Sequence, residues 1–328
     1  MRVTAGRKST RTSRGLLLGL AAGGLAIAAL VRRGSSAFHS DLRYAAAFLP
    51  GAAITPLTLP VIRKLGSRVP TLPGVEVVDI DANVSVRVHR PAGLDTPAPA
   101  LLWIHGGGYL IGSAAQDDQL CRRFAEKLGV VVASVEYRLA PEHPYPAPLD
   151  DCYAAWSWLA RQPEVDPDRL VVGGASAGGG LAAATVLAAR DRGAVLPILQ
   201  LLVYPMLDDR TADRFELESP LHRLWNRSAN RYGWNSYLGA ADPDTAVPAR
   251  NPDLSGLPPA WIGVGSLDLF HDEDLEYARR LRAAGVACEV VEVPGAFHGF
   301  DLVLPAARVS RTFFDDQCEA VRAALAPR

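Results

Sequence analysis

The stretch Gly174-Ala175-Ser176-Ala177-Gly178-Gly179 stands between an apolar run at 170–173 and an Ala- and Leu-rich run at 181–189. The first run predicts a buried strand and the second a helix. Small residues at Gly174 and Gly178 let the backbone turn sharply from one into the other, which leaves Ser176 at the tip with its hydroxyl in the open. A glycine-rich turn that merely contains a serine would read the same way, so the rest of the chain has to decide.

Outward from this turn, strands and helices alternate. Residues 75–80 and 84–89 predict an antiparallel pair joined by Asp81-Ala82-Asn83. Apolar runs at 100–104, 130–135, 196–204, 260–264 and 287–293 predict further strands, and 116–128, 153–159, 273–284 and the stretch up to 325 predict helices. Such alternation implies a mostly parallel sheet covered on both faces, made mixed by its antiparallel start. Residues 38–69 read as one or two helices broken at Pro50 and Pro56. The segment 208–250 is long for a simple connection and carries Trp225, Tyr232, Trp234 and Tyr237. It reads as a cap whose aromatic side chains face a pocket. The alternative is a surface excursion whose aromatics pack on the core.

Length and charge narrow the function. The 328 residues are enough for one large α/β domain with a full core. A net charge of −1 gives no basic field for a nucleic-acid partner. Cys121, Cys152, Cys288 and Cys318 are far apart and form no CxxC pair, which argues against a structural zinc or a disulfide framework. Cys121 and Cys288 sit in apolar stretches and read as buried small hydrophobes.

The N-terminus differs from the rest. Arg2, Arg7, Lys8, Arg11 and Arg14 precede an uncharged run of 17 residues at 15–31, which Arg32 and Arg33 close. As a helix this run would span about 26 Å, near the lower limit for crossing a bilayer. It reads as an N-terminal transmembrane helix. The excess of basic residues before it puts the body of the protein outside the cytoplasm. A signal peptide cleaved after the small residues at 35–37, with secretion, and a packed N-terminal helix in a cytoplasmic protein are the other readings.

A second glycine-rich motif, His105-Gly106-Gly107-Gly108, follows the strand ending at Ile104. Consecutive glycines let backbone N–H groups approach a ligand, the arrangement needed where a carbonyl oxygen becomes an anion. The N–H groups of Gly107, Gly108 and Ala177 are the candidate donors. His105 reads as a structural residue that holds the loop. No lysine followed by serine or threonine succeeds these glycines, so a phosphate loop is excluded. Asp268 lies just past the strand 260–264, and His298 lies in Gly295-Ala296-Phe297-His298-Gly299-Phe300, just past the strand 287–293. Both sit where open α/β sheets place their ligand-contacting loops. Ser176, Asp268 and His298 thus occur in the order nucleophile, acid, histidine. His298 would accept the serine proton while Asp268 fixes the imidazole tautomer. Asp272, beside His271, is the rival acid, and His39, His89, His143 and His222 lack a comparable loop setting.

Five motifs now stand in order. They are His105-Gly106-Gly107-Gly108-Tyr109, Tyr137-Arg138-Leu139-Ala140-Pro141-Glu142-His143, Gly174-Ala175-Ser176-Ala177-Gly178-Gly179, Asp268-Leu269-Phe270-His271-Asp272-Glu273 and His298-Gly299-Phe300. From about residue 75 to the C-terminus the chain resembles the hormone-sensitive-lipase-like family of α/β-hydrolases, of bacterial carboxylesterase/lipase type. The resemblance implies an α/β-hydrolase fold, with a mostly parallel, mixed eight-stranded sheet, helices on both faces and a mainly helical cap. It implies cap helices at 38–74 and a catalytic domain at 75–328 with a cap insertion at about 208–250, whereas the basic and hydrophobic leader at 1–37 is read from the residues alone, being no general feature of the family. It also implies a Ser176–Asp268–His298 triad, an oxyanion hole from Gly107, Gly108 and Ala177, and hydrolysis of short- to medium-chain carboxylic esters through an acyl-enzyme. No metal or cofactor is implied; the partner is a small-molecule ester, and a second copy of the chain stays open. Amide, lactone and xenobiotic-ester hydrolysis would use the same residues. A non-catalytic small-molecule receptor on the same fold is the reading from another class, and the retention of His298 argues against it. Two positions depart from the family pattern. Ala175 stands where an acidic residue is usual, and Leu269 where proline is frequent.

Overall fold

The structure is a computed structural model that describes residues 36–51, 54–66 and 72–326. Eight strands form one mixed sheet: β1 (Glu76–Asp79), β2 (Ser85–His89), β3 (Ala98–Ile104), β4 (Val131–Glu136), β5 (Val165–Ala175), β6 (Leu199–Val203), β7 (Ala260–Gly265) and β8 (Cys288–Val293). Their order is β1-β2-β4-β3-β5-β6-β7-β8. β2 runs antiparallel to both neighbours, and every pair from β4 to β8 is parallel. The α/β-hydrolase fold and the antiparallel start expected from the sequence are both present.

The continuous apolar runs are explained by two-sided cover. Along β3, Leu102 and Ile104 join the core on one face, with Trp156, Leu181 and Tyr277 of helices Ala147–Leu159, Ala177–Asp191 and His271–Ala283. Leu101 and Trp103 join the core on the other, with Phe124 of helix Asp118–Leu128 and Phe313, Cys318 and Val321 of helix Arg308–Leu325. Successive strand residues point to opposite faces, so one run supplies both layers. The cysteines are all free. Cys121, Cys152 and Cys318 are buried, whereas Cys288, expected inside, is only half-buried.

The parallel register determines where the site lies. Ile104 pairs with Gly174, Ala175 with Val203, and Gly265 with Val293. The carboxyl ends of β3, β5, β6, β7 and β8 therefore lie along one edge of the sheet, and those of β3, β5, β7 and β8 continue into the loops that bear the candidate site residues.

The expectation of a transmembrane helix, and with it membrane association and a body held outside the cytoplasm, is corrected here. No helix among the described residues is long and apolar enough to cross a membrane. The longest, Arg308–Leu325, has 18 residues, but its outer face carries Arg311, Asp315, Glu319 and Arg322. Helix Ala177–Asp191, rich in Ala and Gly, has 15 residues and is buried against the sheet. The run at 15–31, on which the expectation rested, lies outside the described residues. Its shortness was already against it, since about 20 apolar residues are needed to span the hydrocarbon core.

One buried ion pair ties the antiparallel start to the parallel core. Arg87 on β2 donates from Nε and Nη2 to the two oxygens of Asp118, at 2.8 and 2.6 Å, and both side chains are buried. Removing one partner leaves the other charge uncompensated. Arg87→Met should lower unfolding free energy by about 3–5 kcal/mol, measured by urea denaturation.

Candidate active site

Ser176 sits between β5 and helix Ala177–Asp191, with φ 57° and ψ −122°. A serine rarely adopts a positive φ, and here the backbone on both sides enforces it. The Ser176 N–H donates to the Val203 carbonyl at 2.9 Å, and its own carbonyl accepts from Met206 at 2.9 Å and Gly180 at 3.0 Å. Gly178 is what permits so tight a turn. A Cβ there would lie 2.0 Å from the Ile104 carbonyl oxygen and 2.5 Å from that of His105, so any side chain would drive the helix off β3.

The turn aims the serine at His298. His298 Nε2 lies 2.9 Å from Ser176 Oγ, and His298 Nδ1 lies 2.8 Å from Asp268 Oδ2. Asp268 Oδ1 accepts the N–H of Phe270 at 3.0 Å. All three side chains are less than a tenth exposed. The imidazole is boxed by Tyr204 and Phe270, edge-on at 4.9 and 5.1 Å between ring centroids, with Trp225 at 6.4 Å. Asp272, the rival acid, pairs with His271 at 3.1 Å rather than with His298.

The glycine loop lies beside the serine. Gly107 and Gly108 have φ of 134° and 61°. A Cβ on Gly108 would meet the Trp225 ring at 2.0 Å, so the loop and the 208–250 segment pack backbone to ring. Among the described residues no protein acceptor takes the N–H of Gly107, Gly108 or Ala177. His105 is fully buried, stacked on Tyr137 at 4.2 Å, with Nδ1 2.9 Å from the Gly106 carbonyl. Burial pulls its pKa down to about 4, against the Gly106 carbonyl, so it stays neutral at ordinary pH and suits a structural post. Tyr137, from the second family motif, donates its hydroxyl to the His105 carbonyl at 3.0 Å, and Arg138 forks onto Asp151 at 2.6 to 3.2 Å. That motif therefore props the glycine loop.

Ser176 and His298 open on a cavity of about 460 Å³, largely apolar, bounded by Ile54, Ile111, Leu224, Trp225 and Phe314 among others. Ile54 comes from the N-terminal segment and Trp225 from the 208–250 segment. These segments join where Arg223 Nε donates to the Ala46 carbonyl at 2.6 Å and the Leu224 N–H to the Pro50 carbonyl at 3.1 Å. Helix Leu59–Gly66 is tied down by Arg63, which donates to the carbonyls of Leu110 and Ala140 and to Glu142. Of the four aromatics expected to face a pocket, Trp225 does so. Trp234 and Tyr237 are buried against Tyr109, and Tyr232 packs on the core margin.

Comparison with known proteins fits this geometry. The family model described as the alpha/beta hydrolase fold matches residues 101–302. The chain belongs to the α/β-hydrolase family. Carboxylesterase NlhH of Mycobacterium tuberculosis is 38% identical over 240 residues, covering 69% of this chain and 74% of its own. Esterase LipI of the same species is 36% identical over 249 residues, covering 71% and 77%. Among solved structures, Bacterial Heroin Esterase superposes with a TM-score of 0.79 at 39% identity, covering 89% of this chain and 99% of that one. Esterase LipW from Mycobacterium marinum gives 0.80 at 35%, covering 89% and 98%. This hydrolase is of the bacterial carboxylesterase/lipase type, in keeping with the hormone-sensitive-lipase-like motifs.

The sequence reading missed polar residues that line the hydrolase cavity, among them Tyr204, Asp301 and Asp117. Tyr204, just past β6, donates its hydroxyl to Asp301 at 2.8 Å, and Asp117 accepts Trp103 Nε1 at 2.8 Å. Tyr204 and Asp301 carried one available signal, their position just after a strand end or beside His298. Burial pushes the Asp117 carboxyl up to about 7; the Trp103 bond opposes this, and Asp301 and Asp118 add to it. A carboxyl raised in the folded state contributes stability that is complete below its ordinary value of 3.8 and is lost as pH rises through about 7. Wild-type protein should therefore lose stability relative to Asp117→Asn between about pH 4 and pH 7, read from urea midpoints across that range.

Proposed function

We propose that this hydrolase is a serine carboxylesterase that cleaves short- to medium-chain carboxylic esters through an acyl-enzyme on Ser176. One observation carries the reading: the unbroken hydrogen-bonded line from Ser176 Oγ through His298 to Asp268, at 2.9 and 2.8 Å. A hydroxyl is a poor nucleophile until a base at hydrogen-bond distance takes its proton, and His298 Nε2 is at that distance. Asp268 holds the proton on Nδ1, which leaves Nε2 as the acceptor and stabilises the imidazolium that forms.

Ser176 Oγ attacks the ester carbonyl carbon as its proton passes to His298. The carbonyl oxygen becomes an anion, for which the N–H groups of Gly107, Gly108 and Ala177 are the donors. His298 then gives the proton to the departing alcohol, and the Ser176 acyl ester remains. A water that loses its proton to the same histidine attacks that ester and releases the acid. A receptor role on this fold would leave the Ser176–His298–Asp268 line without use.

The segments 38–74 and 208–250 are assigned here as a two-part cap. Support comes from Ile54, Leu224 and Trp225 lining the cavity and from the bonds of Arg223 to Ala46 and of Leu224 to Pro50.

Wild-type protein should turn over 4-nitrophenyl butyrate and be labelled at Ser176 by a fluorophosphonate. Ser176→Ala should abolish both, and Asp268→Asn should lower kcat by about 10⁴-fold with the fold retained. Folded wild-type protein that shows neither turnover nor labelling would refute the assignment. The finite cavity sets a second expectation. Each methylene that fits adds about 0.8 kcal/mol, so kcat/KM should climb with acyl length and peak below about ten carbons. A steady rise into long-chain triglycerides would contradict the cavity boundary.

A further inference from the structure

The cavity at Ser176 is apolar over most of its surface but has one acidic wall. Asp117, buried at 4% exposure, ends the turn Ala114–Asp117, and its one side-chain hydrogen bond among the described residues comes from Trp103. Asp301, half-buried, stands on the short helix after His298 and accepts the Tyr204 hydroxyl. Both carboxyls line the cavity; Asp117 feels the field of Asp301, and the charged group that acts on Asp301 is His298. The groups that act on Asp117 are Trp103, Asp301 and Asp118, none of them a cation. Neither carboxyl has a lysine or arginine partner among the described residues. Arg123, on the same lining, lies over the Phe314 ring with Cζ 3.9 Å from its centroid.

A separate observation points to a ligand at this wall. Ser310 lines the same cavity at 2% exposure, and its hydroxyl has no hydrogen-bond partner among the described residues. A buried polar group without a partner is costly, as are two carboxyls lining one largely apolar cavity without a lysine or arginine to pair with. A neutral donor would satisfy one lone pair and offset no charge. A cation with an N–H would do both, while the surrounding apolar wall takes the hydrocarbon that carries it.

We propose that Asp117, Asp301 and Ser310 form a specificity site that selects esters bearing a protonated amine a few bonds from the scissile carbonyl. The proposal rests on the esterase reading of Ser176. The ammonium donates an N–H to one carboxyl while its charge offsets the other, and Ser310 Oγ can accept a further N–H where the amine carries one. Burial holds Asp117 up to about 7, so the free site carries less than its full charge and gains it when the cation arrives. Such a site discriminates more strongly than an apolar pocket. Loss of one methylene from an apolar contact costs little, whereas an isostere without the donor leaves buried polar groups unpaired.

The test uses two isosteric pairs near neutral pH, where both amines are protonated. On the alcohol side, 2-(dimethylamino)ethyl acetate is compared with 3-methylbutyl acetate. On the acyl side, 4-nitrophenyl 4-(dimethylamino)butanoate is compared with 4-nitrophenyl 5-methylhexanoate. Full-length wild-type protein should favour the amine in at least one pair by about tenfold or more in kcat/KM, and the ratio should fall to near unity in Asp117→Asn and in Asp301→Asn. The ratio within a pair cancels any general loss of activity in a variant, and the wild-type ratio alone decides if a variant does not fold. A smaller wild-type ratio in both pairs, or a high ratio that survives either substitution, overturns the proposal. Uncharged 4-nitrophenyl butyrate reports separately on the underlying reading. Turnover of it without amine preference removes the specificity site only, whereas no turnover and no Ser176 labelling removes both.

Discussion

The backbone of Gly178 lies against the carbonyls of Ile104 and His105, where a Cβ would come within 2.0 and 2.5 Å. Through this contact helix Ala177–Asp191 is pressed onto the end of β3, and the turn before it is forced into the positive φ of Ser176. The serine and the glycine loop are thereby brought side by side by main-chain packing rather than by side chains. The N–H of Ser176 on Val203 and that of Met206 on Ser176 extend the same constraint to β6. A site built in this way is rigid before any substrate arrives, which is the condition for preorganised electrostatic catalysis.

Around that point the side chains serve support and selection. Tyr137 and His105 hold the loop from below, and Arg63 ties an N-terminal helix to the segment that props it. Tyr204, Phe270 and Trp225 fix the plane of the His298 ring. Tyr204 has two duties, since its hydroxyl also positions Asp301 in the cavity wall. The machinery for bond cleavage and the polar surface that would sort substrates are thus joined through one tyrosine.

Much of this was legible in the chain. Glycine-rich motifs directly after apolar runs placed Ser176 and the 105–108 loop, because only strand ends in a parallel sheet offer such turns. Asp268 and His298 were found the same way, and the register of β7 and β8 brings their loops together. Strand and helix order followed from periodicity. Boundaries shifted where tertiary contacts extend an element, as in β5, which begins at Val165 rather than at 170. The membrane helix failed for a different reason. No helix among the described residues is long and apolar enough to cross a membrane, and the 17-residue run that carried the expectation was short for a span to begin with.

The sequence by itself determined the succession of strands and helices along the chain, the turn at Ser176 and the loops that carry Asp268 and His298. Local pattern specifies these, because each depends on residues adjacent in the chain. The tertiary structure alone decided what surrounds them. Asp117, Asp301 and Ser310 are separated by up to about two hundred positions, and nothing in their local sequence marks them as neighbours. They share a wall because helix Arg308–Leu325 and helix Asp118–Leu128 cover the same face of the sheet. Likewise Trp225 faces the cavity while Trp234 and Tyr237 do not. The physical reason is that hydrophobic burial rewards any enclosed surface equally, so only the packed geometry distinguishes a side chain that fills the core from one that lines a cavity.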